Sequence, residues 1–156
     1  MAKGDKHRLS DLRERREAIL VNNIRLGFLR KLNEQGLGDV APKLRFLDIH
    51  DPLHERYTEA TKAARWVTIP YDKAAACESA ARWLAAHSQD IVLVIATPCA
   101  ALCTWPVLLE QPRLIETMIR HIGLCTPEAG AGWYCGGRGT EEFIVISWPE
   151  PPSNYL

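Results

Sequence analysis

The chain lacks the features that would assign it to a membrane, to a secretory pathway or to a nucleic acid. Its 156 residues carry 19 basic and 19 acidic side chains, and this neutral balance argues against a nucleic-acid partner. No apolar run approaches the roughly 18 residues of a membrane span, and the polar N-terminus has no signal-peptide core. We therefore expect a cytoplasmic protein that does not bind a membrane.

A complete disulfide framework is also missing, because the chain has five cysteines, an odd number. Apolar residues make up 47% of the chain and charged residues 24%, which are ordinary values for a globular protein. The length is sufficient for one domain with its own core. The composition predicts a single α/β domain over 1–156 in a reducing compartment, with flexible tails at 1–8 and 149–156.

The spacing of apolar residues predicts alternating helices and strands. A long helix is expected over Asp11–Gln35, where one apolar stripe recurs at helical spacing, and Asp51 and Asp72 are expected to cap two further helices. The other expected elements are strands over Lys43–Ile49, Trp66–Pro70, Ile91–Ala96, Gly132–Cys135 and Glu142–Trp148, and a helix over Arg113–His121. This order predicts a three-layer α/β fold with a mainly parallel sheet, a long N-terminal helix and a C-terminal β-hairpin.

The most distinctive stretch runs from Asp90 to Trp105. Its apolar run, Ile91–Ala96, is typical of a central strand that is covered on both faces. Thr97 and Pro98 fit the N-cap and the first residue of a helix. Cys99 is therefore expected at the carboxyl end of a central strand, where open α/β sheets usually bind their ligands.

This placement leads to the alternative of a cysteine-dependent enzyme. A helix N-terminus would stabilise a thiolate at Cys99, and His121 is available as the base. The layout of Ile91–Gly123, with small residues after Cys99, resembles the nucleophile elbow of the class I glutamine amidotransferase superfamily, which implies hydrolase or amidotransferase chemistry. In that family an acidic residue from an early strand supports the site, and in this chain only Asp48 is a positional counterpart of that residue. The opposing interpretation is that Cys99 and Cys103 are small core residues.

The cysteines contain parts of two arrangements of zinc ligands. Pro98-Cys99 and Cys103 resemble the cysteine half of the zinc-dependent nucleobase deaminases, but no His or Cys has a Glu two residues later. A structural zinc site would instead need four ligands to converge from Cys99, Cys103, Cys125 and Cys135, with His121 as a substitute. This spacing is not a common finger pattern, so we predict neither a metal nor another cofactor.

The prediction that these patterns favour is a protein-binding module without catalysis. Its partner would be a toxin, as for inhibitors of the immunity type, or a subunit of a larger assembly. The predicted partner-binding residues are the aromatic and charged residues around the C-terminal hairpin: Trp133, Tyr134, Arg138, Glu141, Glu142 and Trp148.

The long first helix offers a further surface. Its arginines, Arg13, Arg15 and Arg16 among them, would suit an acidic partner or a nucleic acid, although neighbouring carboxylates dilute them. An exposed helix of this length would also permit self-association, and the oligomeric state is left open by the sequence.

Overall fold

The computed structural model describes residues 3–104, 107, 113–116, 121–139 and 141–156. The helices in this part of the chain are α1 (Lys3–Glu34), α2 (Pro52–Ala63), α3 (Lys73–Ala86) and the short α4 (Arg113–Glu116). The strands are β1 (Leu44–Phe46), β2 (Arg65–Pro70), β3 (Ile91–Ala96), β4 (Cys99–Cys103), β5 (His121–Cys125), β6 (Gly132–Arg138) and β7 (Glu142–Trp148). Two 3-10 helices complete the elements, at Ala41–Lys43 and Pro152–Tyr155.

The seven strands form one sheet in the order β1-β4-β3-β5-β6-β7-β2. Every neighbouring pair in this order is antiparallel. The prediction of a mainly parallel sheet is therefore wrong. The long N-terminal helix is present, and β6 and β7 form a hairpin.

The chain reverses at Thr97-Pro98, where the sequence predicted the start of a helix. β4 returns beside β3, with Val92 opposite Leu102. An unbroken apolar strand indicates burial on both faces, but burial does not determine strand direction, since helices here cover both faces of an antiparallel sheet. The prediction that Cys99 begins a helix is wrong, and His121 begins β5 instead of ending a helix.

The N-terminal boundaries of α2 and α3 follow the sequence more closely. The Asp51 carboxylate accepts a hydrogen bond from the Leu53 backbone N–H at 2.9 Å, and Asp72 accepts one from Ala74 at 2.9 Å. These aspartates satisfy N–H groups that the first helical turn leaves unpaired. The helix expected over Arg113–His121 is described only in part: α4 covers Arg113–Glu116, and residues 117–120 lie outside the described residues.

One face of the sheet, which we call the α3 face, carries the larger core. Helix α3 packs on it with Trp83, and the second half of α1 packs on it with Phe28 and Leu32. The buried Trp133 side chain of β6 donates its indole N–H to the Ser79 hydroxyl at 3.1 Å. The strand residues on this face are Ile91, Leu93, Ala101, Cys103, Leu124, Trp133, Cys135, Phe143 and Val145.

The opposite face, which we call the α2 face, has a smaller core. Leu53 and Tyr57 of α2 pack against Val92 and Val94 of β3, together with Ala100 and Cys125 of the flanking strands. The central strand β3 is thus covered on both sides, as its apolar run predicted. No described helix is both long and apolar enough to cross a membrane.

The two segments predicted as tails have regular structure where they are described. Residues 3–8 belong to α1, although their side chains are exposed. The segment after Trp148 ends in the 3-10 helix Pro152–Tyr155, whose Tyr155 side chain is buried in the core of the α3 face. The C-terminal residues therefore close one side of the core.

Gly132 provides a test of this packing. The Trp148 indole lies directly over Gly132 and donates its N–H to the Ala129 carbonyl at 2.9 Å, so a Cβ at position 132 would overlap the ring. We expect Gly132→Ala to lower the free energy of unfolding by about 1–3 kcal/mol, because the indole must move. Chemical denaturation measures this change, and Gly137→Ala, where a Cβ meets open space, is the matched control. Equal stability of the two variants would contradict the packing described.

Candidate functional site

The α2 face is only partly covered. Helix α2 packs over β4, β3 and β5, and it reaches β7 where Tyr57 meets Trp148 edge-to-face with ring centroids 5.6 Å apart. Beyond this contact, side chains of β6, β7 and β2 on the α2 face are half-buried or exposed. We call this region the open sheet face and define it by His121, Tyr134, Arg138, Ile144, Ile146, Trp66 and Thr68.

Strand register brings these residues together in two rows. Residues directly opposite each other in a sheet point to the same face. One row therefore contains Tyr134, Ile146 and Trp66, and it begins at Gly123, which packs against Tyr57 of α2. The second row contains His121, Ile144 and Thr68. Two isoleucines thus lie in the middle, with aromatic and polar side chains around them.

Trp66 and Arg138 form the most exposed part of this face. Trp66 is 57% exposed, although tryptophan is the largest apolar side chain. The Arg138 guanidinium lies 5.6 Å from the centroid of its ring, within the range of a cation–π contact. Arg138 belongs to β6 and Trp66 to β2, so the arginine side chain reaches across β7. The pair combines an apolar surface with a positive charge.

Tyr134 lies flat along β6. Its ring lies over Gly136, where a Cβ would overlap the phenol, and its hydroxyl lies 3.1 Å from Nδ1 of His121. The two rings are stacked, with centroids 6.5 Å apart. Partial burial raises the pKa of the Tyr134 hydroxyl, and the neighbouring Cys135 raises it further. The hydroxyl is therefore neutral at physiological pH and is available as a donor or an acceptor.

The structure divides the predicted partner-binding residues. Tyr134 and Arg138 lie on the open sheet face, and Glu142 lies at its rim, opposite Arg138. Glu141 is exposed in the hairpin turn, and its carbonyl accepts a hydrogen bond from the Tyr71 N–H at 3.0 Å. Two residues are placed elsewhere: Trp133 is buried under α3, and Trp148 packs against Tyr57 and Gly132.

Sequence reasoning missed four residues of this surface: Trp66, Thr68, Ile144 and Ile146. All four lie in predicted strands, but nothing local indicates that β2 pairs with β7. Tyr134 and Trp133 are neighbours in the chain and were predicted together. Because side chains alternate along a strand, only Tyr134 can lie on the open sheet face.

Cys99 lies beside a surface cleft of about 520 Å³ between α1 and the loop after β1. The lining includes Arg25 of α1, Phe46, and Asp48, whose carboxylate accepts a hydrogen bond from the His50 N–H at 2.8 Å. Cys99 as a residue is only 2% exposed. Burial raises its pKa, and Arg25 offsets only part of this effect. The cysteine is therefore a neutral thiol at physiological pH.

The structure does not bring Cys99 and His121 together. Cys99 alternates with Ala101 and Cys103, so its side chain points to the α3 face. His121 alternates with Gly123 and points to the α2 face, where it meets Tyr134. Strand β3 also separates β4 from β5. A general base must reach its nucleophile directly or through one water, and these two side chains are on opposite sides of the sheet.

The cysteines considered as zinc ligands are also separated. Cys103 and Cys135 share the α3 face but lie on β4 and β6, three strand spacings or about 14 Å apart. Cys125 points to the α2 face. Within the described ranges, no group of three or more His, Cys, Asp or Glu side chains is arranged to hold a metal ion.

Comparison of the chain with protein-family models, with curated proteins and with solved structures finds no match.

The cysteines provide a direct test of this geometry. At neutral pH we expect iodoacetamide to modify the half-buried Cys77 before Cys99, and to modify Cys125 and Cys135 only on unfolding. The reason is that burial excludes the reagent and raises the pKa of Cys125 and of Cys135 to about 12, so almost no thiolate is present. Because the pKa of Cys99 is also raised, its rate should increase only at alkaline pH. Peptide mass spectrometry measures each rate.

Alkylation in denaturant, where all five cysteines are accessible, provides the reference rate. Modification of Cys99 at neutral pH as fast as Cys77 would contradict the buried neutral thiol and would favour a cysteine-dependent enzyme.

Proposed function

We propose that this chain is a protein-binding module without catalysis, and that the open sheet face is its docking surface. The observation that carries the proposal is Trp66, a largely exposed tryptophan beside two isoleucines and under the Arg138 guanidinium. Single exposed apolar residues are common on protein surfaces, but a contiguous group that includes an aromatic residue marks an interaction site.

The composition of the surface favours a protein partner. Tryptophan, tyrosine and arginine are the residues most enriched at interface positions that dominate binding energy. The surface is the face of a sheet, a shape that suits a protein better than the concave pockets in which small molecules bind. Ile144 and Ile146 would form the dry centre of the interface, and Tyr134 and His121 would supply polar contacts at its edge.

The charge and the apolar residues of the open sheet face also indicate what the surface of its partner contains. The open sheet face presents Arg138 as its cation, and in the described part of the chain this guanidinium contacts a ring and makes no ion pair. A complementary surface would place apolar side chains over the isoleucines and a carboxylate near Arg138. Both an inhibitor of the immunity type and an assembly subunit would use such a surface.

The cysteines support a reducing compartment such as the cytoplasm for this function. None of the five forms a disulfide, and four of them are buried. In an oxidising compartment, unpaired thiols are exposed to oxidation and to exchange whenever the chain unfolds.

Photocrosslinking tests the docking surface. We expect p-benzoylphenylalanine in place of Thr68, an exposed position on the open sheet face, to form a covalent adduct with one protein in the source cell. The same residue in place of Ala85, exposed on α3 on the other side of the sheet, should not form it. No adduct at Thr68, or the same adduct at both positions, would contradict the proposal.

A substitution then tests the contribution of Trp66. Once the adduct identifies the partner, Trp66→Ala should weaken binding by about 30-fold or more, the usual loss at an interface tryptophan that dominates binding energy. Trp66→Phe should recover part of this affinity because it keeps an aromatic ring. Calorimetry with purified proteins measures both changes. Unchanged binding by Trp66→Ala would exclude Trp66 from the interface.

A further inference from the structure

Helix α1 presents a second accessible surface, separate from the open sheet face. Its second half packs on the sheet through Phe28 and Leu32, whereas every residue from Lys3 to Leu20 is exposed. Four apolar residues of the helix are at least half exposed and share one stripe: Leu9, Leu12, Ile19 and Leu26. The last three recur every seven residues and the first precedes the second by three, which is the spacing of a coiled-coil seam. Because Phe28 lies about 200° around the helix from Leu26, the stripe faces away from the domain.

Basic side chains flank this stripe on both sides. In a heptad the seam consists of the a and d positions, and the e and g positions beside it carry the charges that select the partner helix. With Leu9 at a and Leu12 at d, six e and g positions fall between Lys6 and Leu26, and none of them is acidic. Four are basic: Lys6, Arg8, Arg13 and Arg15. In the described part of the chain, none of these four cations forms an ion pair.

The carboxylates of this half of α1 lie mostly on its other side. Asp11, Glu14 and Glu17 take heptad positions c, f and b, which are remote from the seam. Asp11 and Glu14 line a cleft beside the loop after β1, which Arg15 also lines, and Glu17 lines a second cleft beside α2. Asp5 is the exception, at the N-terminal end of the seam. The acidic residues that dilute the arginines in the sequence therefore face the domain, and the outer flanks are basic.

This combination of charge and apolar surface decides what fits α1. A second copy of the helix does not, because either orientation would oppose basic flanks to basic flanks. A nucleic acid would match the charge but would leave the apolar stripe between the flanks in water. A lipid surface would cover that stripe, but Arg16 and Asn23 lie at a positions within it, and their burial in hydrocarbon without partners is costly. A helix with an apolar seam and acidic flanks matches both properties.

We infer that the first half of α1 is the docking site for an acidic amphipathic helix of another protein, and that the two helices form a short heteromeric coiled coil. The seam from Leu9 to Leu26 has a length of about 27 Å. The partner helix places apolar side chains over Leu12 and Ile19 and carboxylates beside the basic flanks. It also supplies one carboxylate within the seam, opposite Arg16, since a charge buried there needs a counter-charge.

A designed peptide tests the charge and the apolar seam together. The probe has about three heptads, with leucine at its seam positions, one seam glutamate opposite Arg16, and glutamate at every flanking position. Its matched control has lysine in place of each glutamate. Fluorescence anisotropy with the full chain should give a micromolar Kd for the acidic peptide. The Kd of the basic peptide should be about tenfold higher or more, because it opposes like charges. Equal binding of both peptides, or binding of neither, would overturn the inference.

Charge reversal on the chain tests which cations select the peptide. Arg8→Glu combined with Arg13→Glu should weaken binding of the acidic peptide by about tenfold at low salt and should strengthen binding of the basic one. The matched control is Arg45→Glu combined with Arg56→Glu, which changes the net charge equally at exposed positions outside α1. An equal loss in the two double variants would mean that binding follows net charge, and it would contradict docking on α1.

Ile19→Asp separates a helix partner from a polyanion. The new carboxylate lies in the seam, so we expect binding of the acidic peptide to be lost. An unchanged thermal midpoint by circular dichroism would establish that the domain of this variant still folds. A single-stranded DNA oligonucleotide and vesicles of anionic lipid are the competing probes. If either probe binds the chain more tightly than the acidic peptide does, and Ile19→Asp leaves that binding unchanged, the partner of α1 is a polyanion and the inference is wrong.

Discussion

Burial of the central strand β3 on both faces is the constraint on which the rest of the structure depends. Ile91 and Leu93 point into the larger core under α3 and α1, while Val92 and Val94 point into the smaller core under α2. Neighbouring strands must then supply hydrogen-bonding edges on both sides, and β4 and β5 do so in antiparallel orientation. Because the chain turns back at Thr97-Pro98, β4 pairs with β3 directly, and no crossover helix is needed between the two strands.

The helices that satisfy this constraint leave the molecule unevenly covered. One helix, α2, protects the part of its face around β3 and stops near Trp148, so Trp66 and its neighbours are accessible. Helix α1 likewise packs with only its second half. Antiparallel sheets commonly have one solvated face, but that face is usually polar. Here isoleucine and tryptophan are accessible on it, and this mismatch is the basis of the proposed function.

A local sequence pattern can suggest a catalytic site whose residues the folded sheet does not bring together, and Cys99 is such a case. Cys99 follows an apolar strand and a Thr-Pro pair, which is compatible with a helix start, but it pairs with β3 as part of β4. Strand alternation then directs Cys99 and His121 to opposite faces. Burial raises the pKa of the Cys99 thiol, whereas a nucleophilic cysteine requires a lowered one. Tyr134 and Arg138, two of the predicted partner-binding residues, lie on the open sheet face; a partner contact at either residue stays a prediction.

The sequence by itself determined what depends on neighbours within a few residues. The capping aspartates Asp51 and Asp72 located two helix starts, the apolar spacing located α1, and the run of aliphatic residues identified β3 as a doubly covered strand. Only the tertiary structure decided strand direction, strand order and the face on which each side chain lies. Those properties depend on pairing between segments far apart in the chain, such as β2 with β7, and a shift of one residue in either strand would exchange the two faces. The surface that includes Trp66 therefore exists only in the folded sheet.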